Sequence, residues 1–348
     1  MKVADFSFDL PPELVAQFPP AERGTSRLLV VDRTSGTRTH ANVLELPQHL
    51  RAGDLLVLNN TRVFPARLLG TREPGGGAVE VLLISPLEDD RWEALVHPGQ
   101  RLKPGRRLLF ERGGRVLHAE VLAQRFFGRR EVRLWTDERC PVMDVIEAIG
   151  HIPLPPYIKR ADGELDRERY QTVFARERGS IAAPTAGLHF TGPLLDQLDA
   201  AGIERVEITL HVGYGTFKPV RVEDVEAHTV DPERYEIGPD AAARITAAID
   251  GGRRLVVVGT TTTRALETAV TRGLGRVEAG RGVADLFIYP GYQFNAVGAL
   301  LTNFHLPASS LLMLVAAFGG REAVLAAYAE AVRERYRFYS YGDAMLIV

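Results

Sequence analysis

Cysteine and long apolar runs are almost missing from this chain of 348 residues. A single cysteine, Cys140, excludes an internal disulfide framework and a cysteine-rich metal site. No uninterrupted apolar stretch is long enough to cross a bilayer, and the first residues lack the apolar core of a signal peptide. We therefore expect a cytoplasmic protein without a membrane partner.

Neither sign of charge dominates, since the formal net charge is -2 at pH 7. Any nucleic-acid partner must therefore be bound by a local basic patch. Apolar residues make up 45% of the chain and charged residues 25%, which is typical of a soluble globular protein. The length exceeds what one hydrophobic core usually serves, so we expect two domains. Two nucleotide-binding motifs, the Walker loop and the dinucleotide fingerprint of three spaced glycines, are also missing.

The middle of the chain has the pattern of a small barrel. Between residues 63 and 141, short apolar runs alternate with glycine and proline, and no long helical pattern interrupts them. The predicted strands cover residues 79–84, 92–96, 107–110, 116–122 and 131–135. Short strands at this spacing predict an antiparallel β-barrel.

The flanking regions alternate between strand and helix patterns. The predicted strands cover residues 28–31, 55–58, 206–210 and 255–258, and the predicted helices cover residues 193–201, 241–249 and 265–270. Thr191 is placed to cap the first of these helices and Gly202 to end it. The sequence thus predicts an α/β fold, in which a helix-covered, mostly parallel sheet domain (residues 1–62 and 145–348) carries an inserted small antiparallel β-barrel domain (residues 63–144).

A threonine-rich turn lies between a predicted strand and a predicted helix. Gly259 is followed by Thr260, Thr261, Thr262, Thr263 and Arg264. The first turn of a helix leaves backbone N–H groups unpaired and carries the positive end of the helix dipole, so this junction favours an anion. The alternative is an ordinary helix cap followed by surface threonines, although a cap needs only one hydroxyl.

The barrel region holds the densest positive charge. The cations are Arg101, Lys103, Arg106, Arg107, Arg129 and Arg130. Phe126, Phe127 and Trp135 lie among such residues, which favours binding of phosphates and stacking of exposed bases. A charged edge strand that resists aggregation would have the same composition, so both interpretations remain open.

Polar and aromatic residues are concentrated in several loops of the second half. Three histidines there, His189, His211 and His305, are candidates for acid–base catalysis, because loops at the carboxyl ends of sheet strands form the ligand sites of α/β folds. A lone loop histidine is nevertheless more often structural. None of the three forms a short-spaced pair on one helix beside a carboxylate, so we expect no metal site.

Nine blocks of polar, aromatic and glycine-rich sequence are spread along the chain, and they include residues 183–191 (APTAGLHFT) and 259–264 (GTTTTR). The complete set is residues 59–63, 151–158, 169–174, 183–191, 211–219, 259–267, 285–293, 301–307 and 339–345. Together and in this order, the blocks resemble the S-adenosylmethionine:tRNA ribosyltransferase-isomerases of queuosine biosynthesis. The resemblance spans essentially the whole chain, so it is far more specific than any single motif.

The resemblance implies an α/β domain with an inserted β-barrel, and it implies a reaction. The ribosyl part of S-adenosylmethionine moves onto the 7-aminomethyl group of a 7-deazaguanine at the wobble position of tRNA and rearranges to an epoxycyclopentanediol, with release of adenine and methionine. S-adenosylmethionine is then a consumed substrate and no further cofactor is expected. We expect a monomer whose partners are this tRNA and S-adenosylmethionine.

That chemistry suggests roles for the residues above. A general base starts the reaction and an acid helps adenine to leave, and histidine suits both tasks. His189 is the best candidate for the acid or base, and His211 and His305 are second choices. The predicted substrate-binding residues are Asn60, Arg62, Tyr214, Thr260, Thr261, Thr262, Thr263, Arg264, Tyr289, Tyr292 and Asn303. The six barrel cations are predicted to contact tRNA. Two alternatives remain at this stage: an S-adenosylmethionine-dependent tRNA methyltransferase and a non-catalytic RNA-binding protein.

Overall fold

A computed structural model describes residues 1–137 and 139–348 of the chain, without the side chains of Phe127 and Phe217. The strands of the described residues are β1 Arg27–Val31, β2 Arg38–Asn42, β3 Leu55–Asn59, β4 Thr61–Val63, β5 Arg67–Glu73, β6 Ala78–Pro86, β7 Arg91–His97, β8 Arg107–Arg112, β9 Arg115–Gln124, β10 Arg129–Trp135, β11 Glu177–Ser180, β12 Glu204–Leu210, β13 Glu233–Ile237, β14 Leu255–Val258, β15 Gly280–Ala284, β16 Val297–Asn303 and β17 Ala344–Ile347. The helices are α1 Leu46–His49, α2 Val142–Ile149, α3 Glu164–Arg169, α4 Gly192–Ala200, α5 Pro239–Asp250, α6 Thr260–Arg272, α7 Ser310–Gly319 and α8 Arg321–Arg333.

The large sheet has nine strands within the described ranges, in the order β15-β13-β12-β3-β14-β16-β17-β1-β2. Its centre, from β12 to β16, is parallel, whereas β15, β13 and β2 pair antiparallel with their neighbours. Strands joined by a short turn, as β1 and β2 are, can only pair antiparallel. The predicted α/β class is therefore confirmed, with a sheet that is parallel in the middle and mixed overall.

Helices cover both faces of this sheet. In β3, Leu55 and Val57 pack towards α5–α8, and Leu56 and Leu58 pack towards α1 and α4, as expected from the period of two in a strand. The Thr191 hydroxyl accepts a hydrogen bond from the backbone N–H of Leu194, which confirms the predicted cap of α4. No single helix of the described chain is long and apolar enough to span a membrane, and α7 and α8 meet that length only together, across a bend of 115°.

The inserted domain is a closed antiparallel barrel with the strand order β10-β7-β6-β5-β8-β9. The barrel is confirmed, and it contains one strand, β5, that the sequence pattern did not predict. Helix α2 packs against the barrel core through Val145, Ile146 and Ile149. The division of the chain at residues 62/63 and 144/145 stays a prediction, and the packing of α2 associates the chain as far as Ile149 with the barrel.

Candidate active site

A cavity of about 300 Å³ lies where the parallel strands β14 and β16 end. The start of α6, the segment after β16 and the loop after β12 line it together with Tyr157, Tyr339 and Ser340. Ligands of α/β sheets bind at the carboxyl ends of the strands, and cavities of about 300 to 1,000 Å³ hold small molecules. Both the position and the size of this cavity therefore suit a small substrate.

Aromatic side chains form part of the cavity wall. The rings of Tyr157 and Tyr339 have centroids 4.5 Å apart, and Tyr157 Oη lies 2.7 Å from Ser340 Oγ. Tyr339 is buried and has a φ of +73°, a left-handed conformation that is unfavourable for a bulky residue. It is held there because its N–H donates to the Phe304 carbonyl and its own carbonyl accepts from Asn303 Nδ2. Strained residues fixed in this way are concentrated at functional sites.

His305 is the one predicted catalytic histidine that lines the cavity in the described structure. Its Nε2 lies 2.7 Å from Thr302 Oγ1, and its backbone N–H donates to Tyr328 Oη at 3.0 Å. Burial lowers the pKa of His305 to about 3. The imidazole is therefore neutral near pH 7, and one of its ring nitrogens carries a lone pair.

His189 and His211 lie outside the cavity lining. His189 is buried in the 3-10 turn Thr185–His189, and burial lowers its pKa to about 4, while the Asp343 charge and the neighbouring Asn303 amide oppose that shift. Its Nε2 makes no hydrogen bond to any described residue. His211 Nδ1 lies 2.9 Å from Thr61 Oγ1. The three histidines thus do not converge on one point.

The predicted threonine turn forms the first turn of α6, and only its beginning faces the cavity. Gly259, with a φ of +93°, Thr260 and Thr261 line the cavity. The hydroxyls of Thr262 and Thr263 donate to the carbonyls of Val258 and Gly259, at 2.6 and 3.1 Å. These two side chains are therefore occupied by the helix and do not reach a ligand.

Arg264 is not available to hold a substrate anion, contrary to the sequence prediction. Its guanidinium is buried and lies 2.8 Å from Glu233 Oε2, and its remaining N–H groups donate to backbone carbonyls. Glu233 Oε1 also accepts from the Gly213 N–H and from Thr216 Oγ1, at 3.0 and 3.3 Å. Arg264 consequently fixes the loop after β12 through Glu233.

Lys218, which was not predicted as a site residue, lines the cavity from that loop. Its Nζ lies 2.6 Å from Asp231 Oδ2, and the side chain is partly exposed. The chain has only four lysines, and this one lies within the resemblance block 211–219. Asn303, which was predicted, also lines the cavity, and its Oδ1 has no hydrogen-bond partner among the described residues.

The remaining predicted substrate-binding residues lie elsewhere in the fold. Asn60 is buried and accepts from Thr209 Oγ1, Arg62 pairs with Glu147, and the Tyr292 hydroxyl donates to Glu267. Tyr289 packs against Phe287, and Tyr214 lines a second cleft. None of these five predicted residues lines the cavity in the described structure.

The six barrel cations predicted to contact tRNA differ in their exposure and in their contacts. Arg101, Lys103 and Arg107 are exposed, whereas Arg106 is half-buried and Arg129 is paired with Glu93 at 2.9 Å. Arg130 is buried, and its guanidinium donates to the carbonyls of Leu102, Gly128, Arg129 and Gly99. Arg130 is thus excluded from the predicted tRNA contacts because its donors hold the barrel loops.

The similarity of this chain to known proteins extends over its full length. A family model described as queuosine biosynthesis protein matches residues 3–347. The S-adenosylmethionine:tRNA ribosyltransferase-isomerases of Symbiobacterium thermophilum and Heliobacterium modesticaldum are 53% and 50% identical, over 100% of this chain and of each relative. The crystal structure of S-adenosylmethionine tRNA ribosyltransferase from Thermotoga maritima matches with a TM-score of 0.54 and 36% identity, covering 99% of this chain and 100% of that one. The chain therefore belongs to the S-adenosylmethionine:tRNA ribosyltransferase-isomerase family of queuosine biosynthesis proteins.

Proposed function

We propose that this protein transfers the ribosyl moiety of S-adenosylmethionine to the 7-aminomethyl-7-deazaguanine at the wobble position of tRNA and isomerises it there. Adenine and methionine leave, and S-adenosylmethionine is consumed without a further cofactor. The main support is the full-length similarity to enzymes that carry this name, together with a cavity that offers a cation, aromatic faces and a neutral histidine. The cytoplasm and a monomeric state remain predictions.

S-adenosylmethionine fits the cavity by the chemistry of its parts. The N–H groups at the start of α6 and the Lys218 ammonium suit the amino-acid carboxylate. The faces of Tyr157 and Tyr339 suit the sulfonium or the adenine ring. The Asn303 side chain lines the cavity, and its amide is the neighbour that favours the protonated form of the buried His189.

His305 is the residue to which we assign the proton transfers. The sulfonium acidifies the ribose C5' protons, and the neutral imidazole of His305 removes one of them. The imidazolium so formed is a strong acid because burial disfavours its charge, so it returns the proton to the departing adenine. The acceptor amine of the tRNA base bonds to the ribosyl carbon skeleton and loses a proton. The bonds from that skeleton to the adenine nitrogen and to the methionine sulfur break, and the sulfur keeps its electron pair.

Lys218→Met is expected to raise the dissociation constant of S-adenosylmethionine about tenfold, because a charge-assisted hydrogen bond contributes about 1.5 kcal/mol or more when it is not fully exposed. Calorimetric titration measures this directly. A decarboxylated analogue should bind the parent and Lys218→Met equally, and Lys2→Met serves as the control for loss of an exposed lysine. An equal loss of affinity for the analogue would contradict the carboxylate contact.

The exposed barrel cations Arg101, Lys103 and Arg107 are proposed to contact tRNA phosphates. Replacing all three with glutamine should weaken tRNA binding and lower the slope of log affinity against log salt by about 2 to 3, while S-adenosylmethionine affinity stays unchanged. Filter binding at several salt concentrations gives that slope. An unchanged slope would assign the charges to a solvated surface.

The activity itself is tested with ribose-labelled S-adenosylmethionine and tRNA that carries the aminomethyl base. Label should enter the tRNA, with one adenine and one methionine released per transfer. A methyltransferase would leave S-adenosylhomocysteine in place of these products, and an RNA-binding protein without catalysis would release none of them. Either result would refute the proposal.

A further inference from the structure

A second space lies between the barrel and the α/β domain, with a volume of about 570 Å³. Strands β5 and β6 of the barrel form one side of it. Residues 153–156 and 158–162 with His151, Ile181 and Tyr214 form the other side. We call this space the interdomain cleft.

The interdomain cleft shares a wall with the active-site cavity. Three segments of the chain line both spaces. In the first segment, Pro156 and Ile158 face the cleft and Tyr157 faces the cavity. In the other two segments, Ile181 and Tyr214 face the cleft, whereas Ala182 and Thr216 face the cavity. Residues that are neighbours in the chain thus reach both spaces, which places the two spaces side by side. A molecule in the cleft therefore lies directly beside the cavity.

The charges of the cleft leave one cation unpaired. Glu80 binds Arg67 at 2.8 Å, and Asp162 lies 2.8 Å from His151. Asp166, just beyond the cleft, binds Arg160 at 2.7 Å. The exposed Lys159, at the rim, forms no ion pair with any described residue. This lysine is thus free to meet an anion from solution.

The same rim presents an aromatic ring and apolar surfaces. The Arg160 guanidinium carbon lies 4.3 Å from the centroid of the Phe18 ring, which is 61% exposed. Leu69, Leu82 and Leu154 provide apolar contacts within the cleft. A flat ring that carries a phosphate matches this combination, because bases stack on aromatic side chains and phosphates bind cations in single-stranded nucleic-acid sites.

We propose that the interdomain cleft binds a single-stranded nucleotide of the tRNA anticodon loop next to the wobble nucleotide. The base packs on the apolar walls and on Phe18, and its phosphate binds Lys159. This proposal rests on the proposed function, in which the wobble base must reach the ribosyl group in the cavity. Since the cleft and the cavity lie side by side, a loop held in the cleft presents its neighbouring nucleotide at the cavity.

Binding of an anticodon stem-loop RNA tests the proposal without any turnover. The probe carries 2-aminopurine immediately 3' of the wobble position, and its fluorescence reports stacking. Phe18→Ala and Lys159→Gln should each weaken binding by the full-length protein about tenfold, and Phe18→Ala should also remove the fluorescence quenching. Phe18→Tyr and Lys159→Arg should restore parent behaviour, because they keep the ring and the charge.

Two variants outside both spaces serve as matched controls. Lys2→Gln removes an exposed lysine that pairs with Asp224, and Leu274→Ala removes a side chain that is 94% exposed. Both should bind the stem-loop like the parent, and the S-adenosylmethionine affinity of all variants should be unchanged.

Parent-like stem-loop affinity in Phe18→Ala and Lys159→Gln would overturn the cleft proposal, as would a stem-loop that the parent does not bind at all. The ribose-label assay separates this failure from failure of the proposed function. If the parent protein transfers label and the cleft variants keep the parent affinity for the stem-loop, only the cleft proposal is refuted. If the parent protein binds the stem-loop through the cleft but transfers no label, only the proposed reaction is refuted.

Discussion

His305→Gln is expected to lower the rate of adenine release by at least about a hundredfold, because general acid–base catalysis contributes about 10²- to 10⁴-fold. The effect should appear in turnover and not in binding, since the cavity retains the start of α6, Lys218 and the aromatic wall. Single-turnover measurement of adenine release gives the rate of the chemical step. The dissociation constant of S-adenosylmethionine should change by less than about threefold.

The matched control for this experiment is His40→Gln. His40 lies on the edge strand β2, where its ring nitrogens contact Tyr336 and Glu330, far along the sheet order from the cavity strands β14 and β16. The control should release adenine at the parent rate. Parent-like turnover in His305→Gln would remove His305 from the proton transfers and leave it as a residue that orients Thr302.

The fold could be predicted where burial alone determines the pattern of apolar residues in a strand. The apolar run of β14 is buried on both sides, and the alternating strands of the barrel have one buried face, so both patterns follow from burial. Strand β5 was missed because Gly70 and polar residues interrupt its pattern. A side chain at Gly70 would meet the Leu109 carbonyl at 2.2 Å, so the close approach of β8 requires that glycine.

The lining of the cavity could be predicted only where local sequence determines the geometry. Thr260 and Thr261 face the cavity because a helix begins there, and that beginning is visible in the sequence. Arg264 is different, because its partner Glu233 lies 31 residues earlier, at the start of β13. A sequence shows that a charge is present, whereas only the fold shows whether a carboxylate or a substrate neutralises it.

The rarity of lysine is a sequence signal that could have drawn attention to Lys218. Arginine supplies nearly all of the positive charge, and two of the four lysines, Lys218 and Lys159, lie at the cavity and at the interdomain cleft. The two residues are exposed enough to meet a ligand. Density of charge in the sequence, by contrast, also selected Arg130, which the fold buries.

His189 was the first choice among the histidines, and the structure suggests a different kind of test for it. The imidazole is buried behind the cavity, near Asn303, with a pKa of about 4. In the unfolded chain a histidine titrates near pH 6.5. Between these two values the unfolded state binds the proton and the native state does not, so the free energy of unfolding falls as the pH is lowered from about 6.5 towards 4.

We therefore expect the parent to lose about 2 kcal/mol more of its unfolding free energy than His189→Gln between pH 7.5 and pH 4.5. Carboxylates that titrate in the same range contribute equally to both proteins and cancel in the difference. Urea unfolding should be followed by helical circular dichroism, because both tryptophans, Trp92 and Trp135, lie in the barrel strands and report on the wrong domain. If the two proteins lose stability in parallel, folding does not lower the pKa of His189, and His189 then regains its place as a candidate acid beside Asn303.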